Sequence, residues 1–537
     1  MPSLRPAALF LGAATLAMTY PIYAQGDRYY ASIHDLQREP IFEAREADWR
    51  NGALIYQVIV DRFGPPTEEE LAAKRDLYPA PKRLLSWDQP PTRGTYNRDV
   101  EVWSHEIDFW GGDLNTLSRH LDYVHELGVD VLYLNPIHQA YTNHKYDAQD
   151  YKEVSAEYGT RQDVFDLAAD VHERDMKLVL DGVFNHMGRT SPYFQEAMTD
   201  PQSPYRDWFY VGDDYRMGYR GWVNVANLPE LNLENPLVQD YVFATSDSVV
   251  QGYLRGGVDG WRLDVAFDIG PAILDDLTRA AHTARPGSVV IGEIWNYPEE
   301  WIPAVDGVMN MHLRQILLEL VQGHVSGPRA GRMVQTMIDD TGLEGILKSW
   351  LILDNHDTQR LKTALPETWQ QRMAQTLQMT LPGAPCIYYG VEVGMTGGDD
   401  PEQRGPMRWD LVSDDNEDYV FARQLLDLRA RTNPRSRSLR VGDFRLLDSD
   451  KLLAFMRRTD RVAETCIVIA NPTNKRVTEF LQIRESKLLG SLVDVFTGKE
   501  IGQMANTVRV TIPAQTTYVL FPKIDEGIEY SPYMRVR

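Results

Sequence analysis

Three carboxylates in this sequence lie at or just beyond the ends of apolar runs, where they could act together on one substrate. Asp264 comes two residues after Arg262, Glu293 ends the run 289–293, and Asp357 closes the segment 353–357. Covalent cleavage of a glycosidic bond needs a carboxylate nucleophile and a second carboxyl group that gives and takes a proton, about 5–5.5 Å apart. On a strand Arg262 and Asp264 point to the same side, where an ion pair would keep Asp264 ionised. Taken alone, this pair is equally consistent with a structural salt bridge.

Three further residues could support such a site. His186 and His356 each follow an asparagine, and their ring nitrogens could hydrogen-bond the hydroxyl groups of a sugar. An Asn-His pair is more often a turn or a satisfied surface pair, so the histidines do not identify a site by themselves. Trp295 follows Glu293 by two residues and could shield that carboxyl group from water, which would keep it protonated.

The carboxylates would be positioned by an alternation of apolar runs and helical segments. Eight runs have the continuous apolar character of strands buried on both faces; they lie at 53–60, 129–134, 177–180, 260–264, 289–293, 305–309, 350–354 and 384–389. The segments between them predict right-handed βαβ units, and Thr160 with Asp163 resembles the capping box of one helix. Eight such units predict the α/β class and a (β/α)8 TIM barrel, whose site lies at the C-terminal ends of the strands. An open doubly wound sheet is the alternative, but its glycine fingerprints are missing and it does not explain so many polar strand ends.

The other segments divide the chain around a predicted barrel at 51–433. The connection after the third strand, at about 187–236, is longer than an ordinary loop and is rich in Trp and Tyr, which predicts an inserted subdomain beside the site. Past residue 434 short alternating runs predict a C-terminal antiparallel β-sandwich over 434–525, followed by a tail at 526–537. Residues 25–50 are polar and charged and predict an N-terminal arm or linker.

The first 24 residues are typical of a secretory signal peptide. Arg5 precedes an apolar run at 7–18, and Ala24 marks a cleavage point. This pattern predicts a periplasmic or secreted protein with no stable membrane span after cleavage, and an uncleaved anchor is the alternative. The run is too short to cross a bilayer comfortably.

Composition narrows the range of partners. A formal net charge of −22 argues against nucleic acid, because phosphate binding needs clustered cations, and it suits a neutral substrate. The two cysteines, Cys386 and Cys466, lie in apolar runs. They are predicted to be buried free thiols rather than a disulfide or a metal site.

Seven stretches in order resemble the α-amylase family, glycoside hydrolase family 13, over roughly residues 50–525. One such stretch would be weak evidence, but seven in order are very specific. They are GV…NP at 128–136, DGVFNH at 181–186, LPELN at 228–232, GWRLDVA at 260–266, EIWN at 293–296, DNHD at 354–357 and GAPCIYYG at 383–390.

The resemblance implies a TIM barrel with a domain B after strand three, a C-terminal β-sandwich and a retaining mechanism. It implies that Asp264 is the nucleophile, Glu293 the acid/base and Asp357 the transition-state stabiliser. It further implies a set of residues that hold the sugar at the cleavage point, namely Tyr146, Asp147, His186, Arg262 and His356. No cofactor is required, and the resemblance allows a calcium ion at Asn185.

Within the family the chain is most similar to the cyclomaltodextrinase, neopullulanase and maltogenic amylase group. HKYD at 144–147 and the stretches GGDDP at 397–401 and RGPMRW at 404–409 carry this similarity. That group commonly has an N-terminal β domain of about a hundred residues before the barrel, which is not found here, and its calcium-binding loop after the first strand is replaced at 64–68.

The resemblance implies cleavage of α-1,4-glucosidic bonds in maltooligosaccharides, starch fragments or cyclodextrins. The alternatives are a transglycosylase, an exo-acting α-glucosidase, a trehalose-forming enzyme and a non-catalytic glucan-binding member of the fold. Because such non-catalytic members often lose the catalytic set, the presence of all three carboxylates favours an enzyme. The sequence does not choose an oligomeric state, an endo or exo mode, or a product length.

Overall fold

A computed structural model describes residues 33–483 and 489–523 of the chain. The expected signal peptide at 1–24, the start of the arm and the tail at 526–537 lie outside the described residues. In the described part, no helix is long and apolar enough to cross a membrane.

Eight parallel strands close into a barrel in chain order, as the sequence predicts. They are β1 (Ile55–Val58), β2 (Val131–Leu134), β3 (Lys177–Gly182), β4 (Gly260–Leu263), β5 (Val289–Ile294), β6 (Gly307–Asn310), β7 (Trp350–Leu351) and β8 (Ala384–Tyr388). Every second side chain points inward, and Ile55, Val131, Val179, Ile291 and Met309 pack there in one core. The barrel interior is therefore filled, and the site must lie at one end of it.

Helices cover the outside of the barrel. The main ones are Leu114–Ser118, Leu121–Glu126, Arg161–His172, Val249–Arg255, Pro271–Ala284, Met311–Val321, Gly327–Thr341, Thr368–Thr380 and Glu417–Arg429. The helix Arg161–His172 begins at the predicted capping box, in which Thr160 and Asp163 each bond the other's backbone N–H. The first two of these helices are separated only by Arg119 and His120. Between β5 and β6 a turn at 298–304 replaces a helix.

The insertion at 187–236 forms a small layer beside the C-terminal end of the barrel. It contains the helix Pro192–Thr199 and short bridges that join Phe209 to Leu231 and Gly221 to Pro229. Phe194 packs edge-on against Phe209 and Tyr219, so much of its aromatic content forms its own core. It also lies against the hairpin of His138–Ala140 and Ala148–Val154, since Ser191 bonds the carbonyl of Gln149.

Eight antiparallel strands form the C-terminal domain. They are β9 (Asp443–Leu446), β10 (Leu453–Arg458), β11 (Cys466–Asn471), β12 (Val477–Gln482), β13 (Leu489–Asp494), β14 (Glu500–Ala505), β15 (Thr507–Ile512) and β16 (Thr516–Pro522). They make one continuous sheet in the order β9-β10-β11-β16-β13-β14-β15-β12. Side chains from both ends of that order, such as Ile467 and Val510, share one core, so the sheet folds over itself. Its other face packs on the barrel helices through Phe455 and Val468.

The N-terminal arm contains a helix, Ile33–Ala47, where the sequence suggested an arm or linker. Arg45 explains its position, because it pairs with Glu344 of a barrel helix and with Asp443 of β9. Both cysteines are buried free thiols, as predicted.

Candidate active site

The candidate site lies where β3, β4, β5 and β7 end. The register of the sheet pairs Arg262 on β4 with Asp181 on β3, and Leu263 with Gly292 on β5. Asp264 and Glu293, one residue further along each strand, therefore reach the same level of the barrel. Asp264 is also fixed through its backbone N–H, which donates to the carbonyl of Gly182.

The guanidinium of Arg262 is the centre of the site. It is fully buried, and Nη1 lies 2.8 Å from Asp181 Oδ1 and 3.0 Å from Asp264 Oδ1. Nη2 forms an ion pair with Glu293 Oε2 at 2.8 Å, although it is not aligned for a hydrogen bond. One cation thus holds three buried carboxylates together, so the Arg262–Asp264 pair is more than an isolated salt bridge.

Glu293 is held on both of its oxygens. The backbone N–H of Val265 donates to Oε2 at 3.0 Å, and the indole N–H of Trp295 donates to Oε1 at 2.9 Å. Trp295 is 46% exposed; it therefore contributes a hydrogen bond as well as a partial screen from water. Val265 has a left-handed backbone with φ of 49°, a conformation that costs a β-branched residue energy. This strained turn directs the Val265 N–H towards Glu293.

The electrostatics of the site favour a shared proton. Burial raises the pKa of Asp264 well above its ordinary value, Arg262 opposes that rise, and the charges of Glu293 and Asp181 add to it. Asp181 shares Nη1 of Arg262 with Asp264, and burial raises the pKa of Asp181 as well. These two carboxyl groups therefore titrate as a pair, which can keep one proton at a pH where isolated carboxyl groups would have lost theirs.

Asp357 lies across the cavity in the loop after β7. Its carboxylate contacts His356 Nε2 at 3.0 Å and Arg404 Nη2 at 3.4 Å. The amide nitrogens of Gln57 and Asn135 both donate to His356 Nδ1, so the proton of this neutral ring is on Nε2. Burial keeps the pKa of His356 well below its ordinary value, so the ring stays neutral.

Tyr146 forms the wall beside His356. The two rings are stacked, with centroids 5.2 Å apart and planes 5° from parallel. The Tyr146 hydroxyl donates to Asp181 Oδ2 at 3.0 Å and lies 2.5 Å from His356 Nε2. Asp181 thereby connects the tyrosine to Arg262, and Tyr133 also donates to it at 2.6 Å.

His186 and Asn185 follow β3. Burial lowers the pKa of His186 to about 3, so its imidazole is neutral, and its Nε2 has no hydrogen-bond partner. The His186 ring stacks on Trp222 of the insertion. Asn185 is buried, and its side-chain amide nitrogen lies 3.4 Å from His186 Nδ1. Its backbone carbonyl accepts from the backbone N–H of Leu231. In the described ranges no group of three His, Cys, Asp or Glu side chains could hold a metal. A calcium ion held by Asn185 together with carbonyl oxygens stays a prediction.

Asp147 occupies a different place from the other predicted site residues. It is fully buried and is not part of the cavity wall. Its oxygens accept from Thr142 and from Asn227 of the insertion. Asp147 therefore fixes the loop that presents Tyr146.

The described part contains a cavity of about 370 Å³ at this end of the barrel. Six of its lining residues are ones the sequence singled out, namely Tyr146, His186, Asp264, Glu293, Trp295 and Asp357, while Trp222 and Phe267 supply further apolar faces. A larger cleft of about 780 Å³ opens near the start of β2, but its arginines are already paired, as in Arg431 with Asp130 and Arg423 with Asp414.

The sequence reasoning missed two functional contributions. Asp181 begins the stretch DGVFNH at 181–186, but the sequence alone does not predict its pairing with Arg262. The strand register, which puts the two residues side by side, is the signal that could have found it. Arg404 reaches Asp357 from 47 residues away in sequence, and no local pattern indicates such a contact.

Comparison with known proteins agrees with this geometry. The family model for the α-amylase catalytic domain matches residues 57–427. Neopullulanase 2 of Thermoactinomyces vulgaris is 31% identical over 503 residues, covering 89% of this chain and 79% of that protein. The intracellular maltogenic amylase of Bacillus subtilis strain 168 is 30% identical over 467 residues, covering 85% and 74%. A solved structure of cyclic α-maltosyl-(1→6)-maltose hydrolase from Arthrobacter globiformis matches with a TM-score of 0.73 and 26% identity, covering 89% of this chain and all of that one.

The barrel and its carboxylates define a glycoside hydrolase. The chain belongs to the α-amylase family, glycoside hydrolase family 13, as its ordered sequence motifs indicate. Its relatives include proteins named neopullulanase, cyclomaltodextrinase and maltogenic amylase, the group that the sequence resembles most.

Proposed function

We propose that this enzyme hydrolyses α-1,4-glucosidic bonds in maltooligosaccharides, starch fragments or cyclodextrins with retention of anomeric configuration. The observation that carries the proposal is the placement of Asp264 and Glu293 on one guanidinium, 3.0 and 2.8 Å from its two terminal nitrogens. Carboxyl groups held this close together support the short separation of retaining enzymes, rather than the wider separation that inverting enzymes need to place a water molecule for direct attack.

In the first step a carboxylate oxygen of Asp264 attacks the anomeric carbon. The bond from that carbon to the glycosidic oxygen breaks as Glu293 gives its proton to the leaving oxygen. Asp264 is then esterified to the sugar and Glu293 is a carboxylate. In the second step Glu293 takes a proton from water, the water oxygen bonds to the anomeric carbon, and Asp264 is released.

The charges around the sugar support this route. Asp181, Asp264, Glu293 and Asp357 face two cations, Arg262 and Arg404. A site with excess negative charge stabilises the positive charge that develops on the sugar ring, and it does so without reorganisation because the groups are already fixed.

The walls of the cavity have the chemistry to hold one sugar unit. The ring of Tyr146 offers an apolar face, and the free Nε2 of His186 can bond a hydroxyl group. His356 Nε2 carries a proton towards the same space, next to Asp357. We therefore assign sugar binding to Tyr146, His186, Arg262 and His356, with Asp147 acting through the loop that carries Tyr146.

The names of the relatives support an α-glucan substrate, since they include neopullulanase and cyclomaltodextrinase. Transfer to another sugar and exo cleavage use the same covalent intermediate and are the second candidates. A purely glucan-binding role has less support, because the catalytic carboxylates are all present and are held by specific donors.

A time course with maltoheptaose tests the proposal. Purified wild type should give short products, while a folded Asp264→Asn variant should give none. Product lengths would separate endo cleavage, exo release and transfer to longer chains. Equal hydrolysis by Asp264→Asn would refute the nucleophile, and no hydrolysis by wild type would refute the substrate class.

We further propose export to the periplasm or medium, supported by the signal-peptide pattern at 1–24. The relative from Bacillus subtilis, by contrast, is named intracellular. N-terminal sequencing of the protein from fractionated native cells should give a mature chain that begins near Gln25, outside the cytoplasm. An intact N-terminus in the cytoplasmic fraction would contradict export.

A further inference from the structure

A two-stranded hairpin beside the active site exposes two aromatic rings. Tyr96–Asn97 pairs with Val102–Trp103, and Tyr96 lies directly opposite Trp103. Trp103 is 44% exposed and Tyr96 is 42% exposed, and their rings meet edge-on with centroids 5.5 Å apart. Val102, next to Trp103 on the same strand, is buried in a small core with Ile107 and Phe109. The hairpin is therefore anchored by Val102 while the two rings face solvent.

Contacts connect this hairpin to Asp357. Trp103 stacks on His105, with ring centroids 6.0 Å apart. The backbone N–H of Gly94 donates to His105 Nδ1, so His105 Nε2 carries the proton and donates to Asp400 at 3.2 Å. Asp400 pairs with Arg404 at 3.0 Å, and Arg404 in turn contacts Asp357. A continuous series of side-chain contacts therefore connects the aromatic pair to Asp357.

A second set of contacts makes this position rigid. Asn143 donates from its side chain to the carbonyls of His105 and Asp108, and His144 Nε2 lies 3.5 Å from Glu106 Oε1. His144 accepts from the backbone of Tyr146, the wall of the cavity. Because the base of the hairpin and the catalytic wall share these bonds, the two rings keep a fixed distance from the cavity.

The hairpin lies beside the loop at 397–409, which Trp103 reaches through His105 and Asp400. The hydroxyl group of Tyr96 donates to Glu101 at 2.5 Å, which fixes its ring on the hairpin. In the proposed mechanism Glu293 protonates the leaving group, so we expect the glycone part of a longer substrate to continue on the other side of the cavity, towards Asp357.

We propose that Trp103 and Tyr96 form an outer sugar-binding platform that holds the glycone end of longer α-glucan chains. This inference rests on the proposed function and deepens it. Aromatic rings that remain exposed on rigid supports give apolar faces to a ligand without an ordering cost. The apolar C–H face of a glucose unit suits them, and hydroxyl groups at its edge would meet Glu101 and Asp400.

Kinetics with substrates of two lengths test the platform. Trp103→Ala should lower the ratio of kcat/KM for maltoheptaose to kcat/KM for maltotriose by about ten-fold, mainly through KM for the longer chain. Trp103→Phe keeps a ring and should hold the ratio within about two-fold of wild type. Phe480→Ala is the matched control, because Phe480 is 69% exposed on the C-terminal sheet; it should leave the ratio unchanged.

Two results would overturn the platform. An unchanged ratio in Trp103→Ala would show that the ring binds nothing, and an equal loss for both substrates would show that it only supports His105. Calorimetry separates this failure from failure of the proposed function. Maltoheptaose should bind the inactive Asp264→Asn protein about ten-fold more tightly than Asp264→Asn with Trp103→Ala. Equal affinities refute the platform, whereas a wild type that hydrolyses neither substrate refutes the proposed function.

Discussion

The substitution Asp181→Asn tests whether the charge of one buried carboxylate on Arg262 raises the pKa of its neighbour, Asp264. Asp181 and Asp264 both lie within 3.0 Å of Arg262 Nη1, so their bonded oxygens are less than about 6 Å apart. The negative charge of Asp181 is one of the causes that raise the pKa of Asp264. Removing that charge should therefore lower the pKa of Asp264 and leave the nucleophile ionised at lower pH.

The size of the effect follows from the distance. Two unit charges about 6 Å apart interact by about 2–3 kcal/mol at an effective dielectric constant of about 20. If the whole of this interaction energy acted on Asp264, loss of the Asp181 charge would lower the pKa of Asp264 by about two units. Solvent in the open cavity screens the interaction, so we expect a shift of between about one and two units. Release of Arg262 from Asp181 strengthens its pairing with Asp264 and acts in the same direction.

The assay is the pH dependence of kcat/KM, whose acid limb reports the free enzyme's essential base. The acid limb of Asp181→Asn should move down by about one to two pH units, and kcat should fall because Tyr146 loses a charged acceptor. Tyr133→Phe is the matched control, because it removes one donor to Asp181 and changes no charge at neutral pH. The acid limb of its pH profile should stay within about 0.5 pH unit of that of wild type. An acid limb that stays in place or moves up in Asp181→Asn would refute the electrostatic reasoning.

Three further predictions follow from the same contacts. Glu293→Gln keeps the shape of the side chain but cannot give a proton, so kcat/KM on maltotriose should fall by about 10³. The loss on α-glucosyl fluoride should be smaller, because its leaving group needs little protonation, and equal losses on the two substrates would contradict the acid role. Val265→Gly should be more stable than Val265→Ala by about 1–2 kcal/mol in urea unfolding, because only glycine adopts the left-handed backbone without strain; an equally stable alanine variant would show that the turn is unstrained. Since the surroundings of Asn185 offer no carboxylate cluster in the described residues, EDTA should shift the Tm by less than about 1 °C, whereas a drop of several degrees would reveal a bound ion.

Much of the fold could be predicted because its signals are local. Strands buried on both faces must be apolar along their length, so runs such as 289–293 identify β5 from the sequence alone. The Thr160–Asp163 capping box fixes the start of a helix for a similarly local reason. Carboxylates at the ends of these runs could be selected as candidate site residues because barrel sites lie at the C-terminal ends of strands.

Features that depend on contacts distant in sequence could not be predicted. The helix Ile33–Ala47 lies in a polar segment, and the pairing of Arg45 with Asp443 fixes its position. Val265 has high β propensity, yet it adopts a left-handed turn because the structure around Asp264 imposes it. Arg404 gains its role only when the loop after β8 folds back towards Asp357. In each case tertiary structure overrides the local preference.

The central claim is that Asp264 is the covalent nucleophile of a retaining mechanism. Mass spectrometry of the enzyme after reaction with 5-fluoro-α-glucosyl fluoride tests it most directly, because the ring fluorine slows hydrolysis of the glycosyl-enzyme ester. The structure predicts one added fluoroglucosyl group on the peptide that contains Asp264, absent from Asp264→Asn. An adduct on Glu293 or Asp357, or turnover of the reagent to a product of inverted configuration, would contradict it.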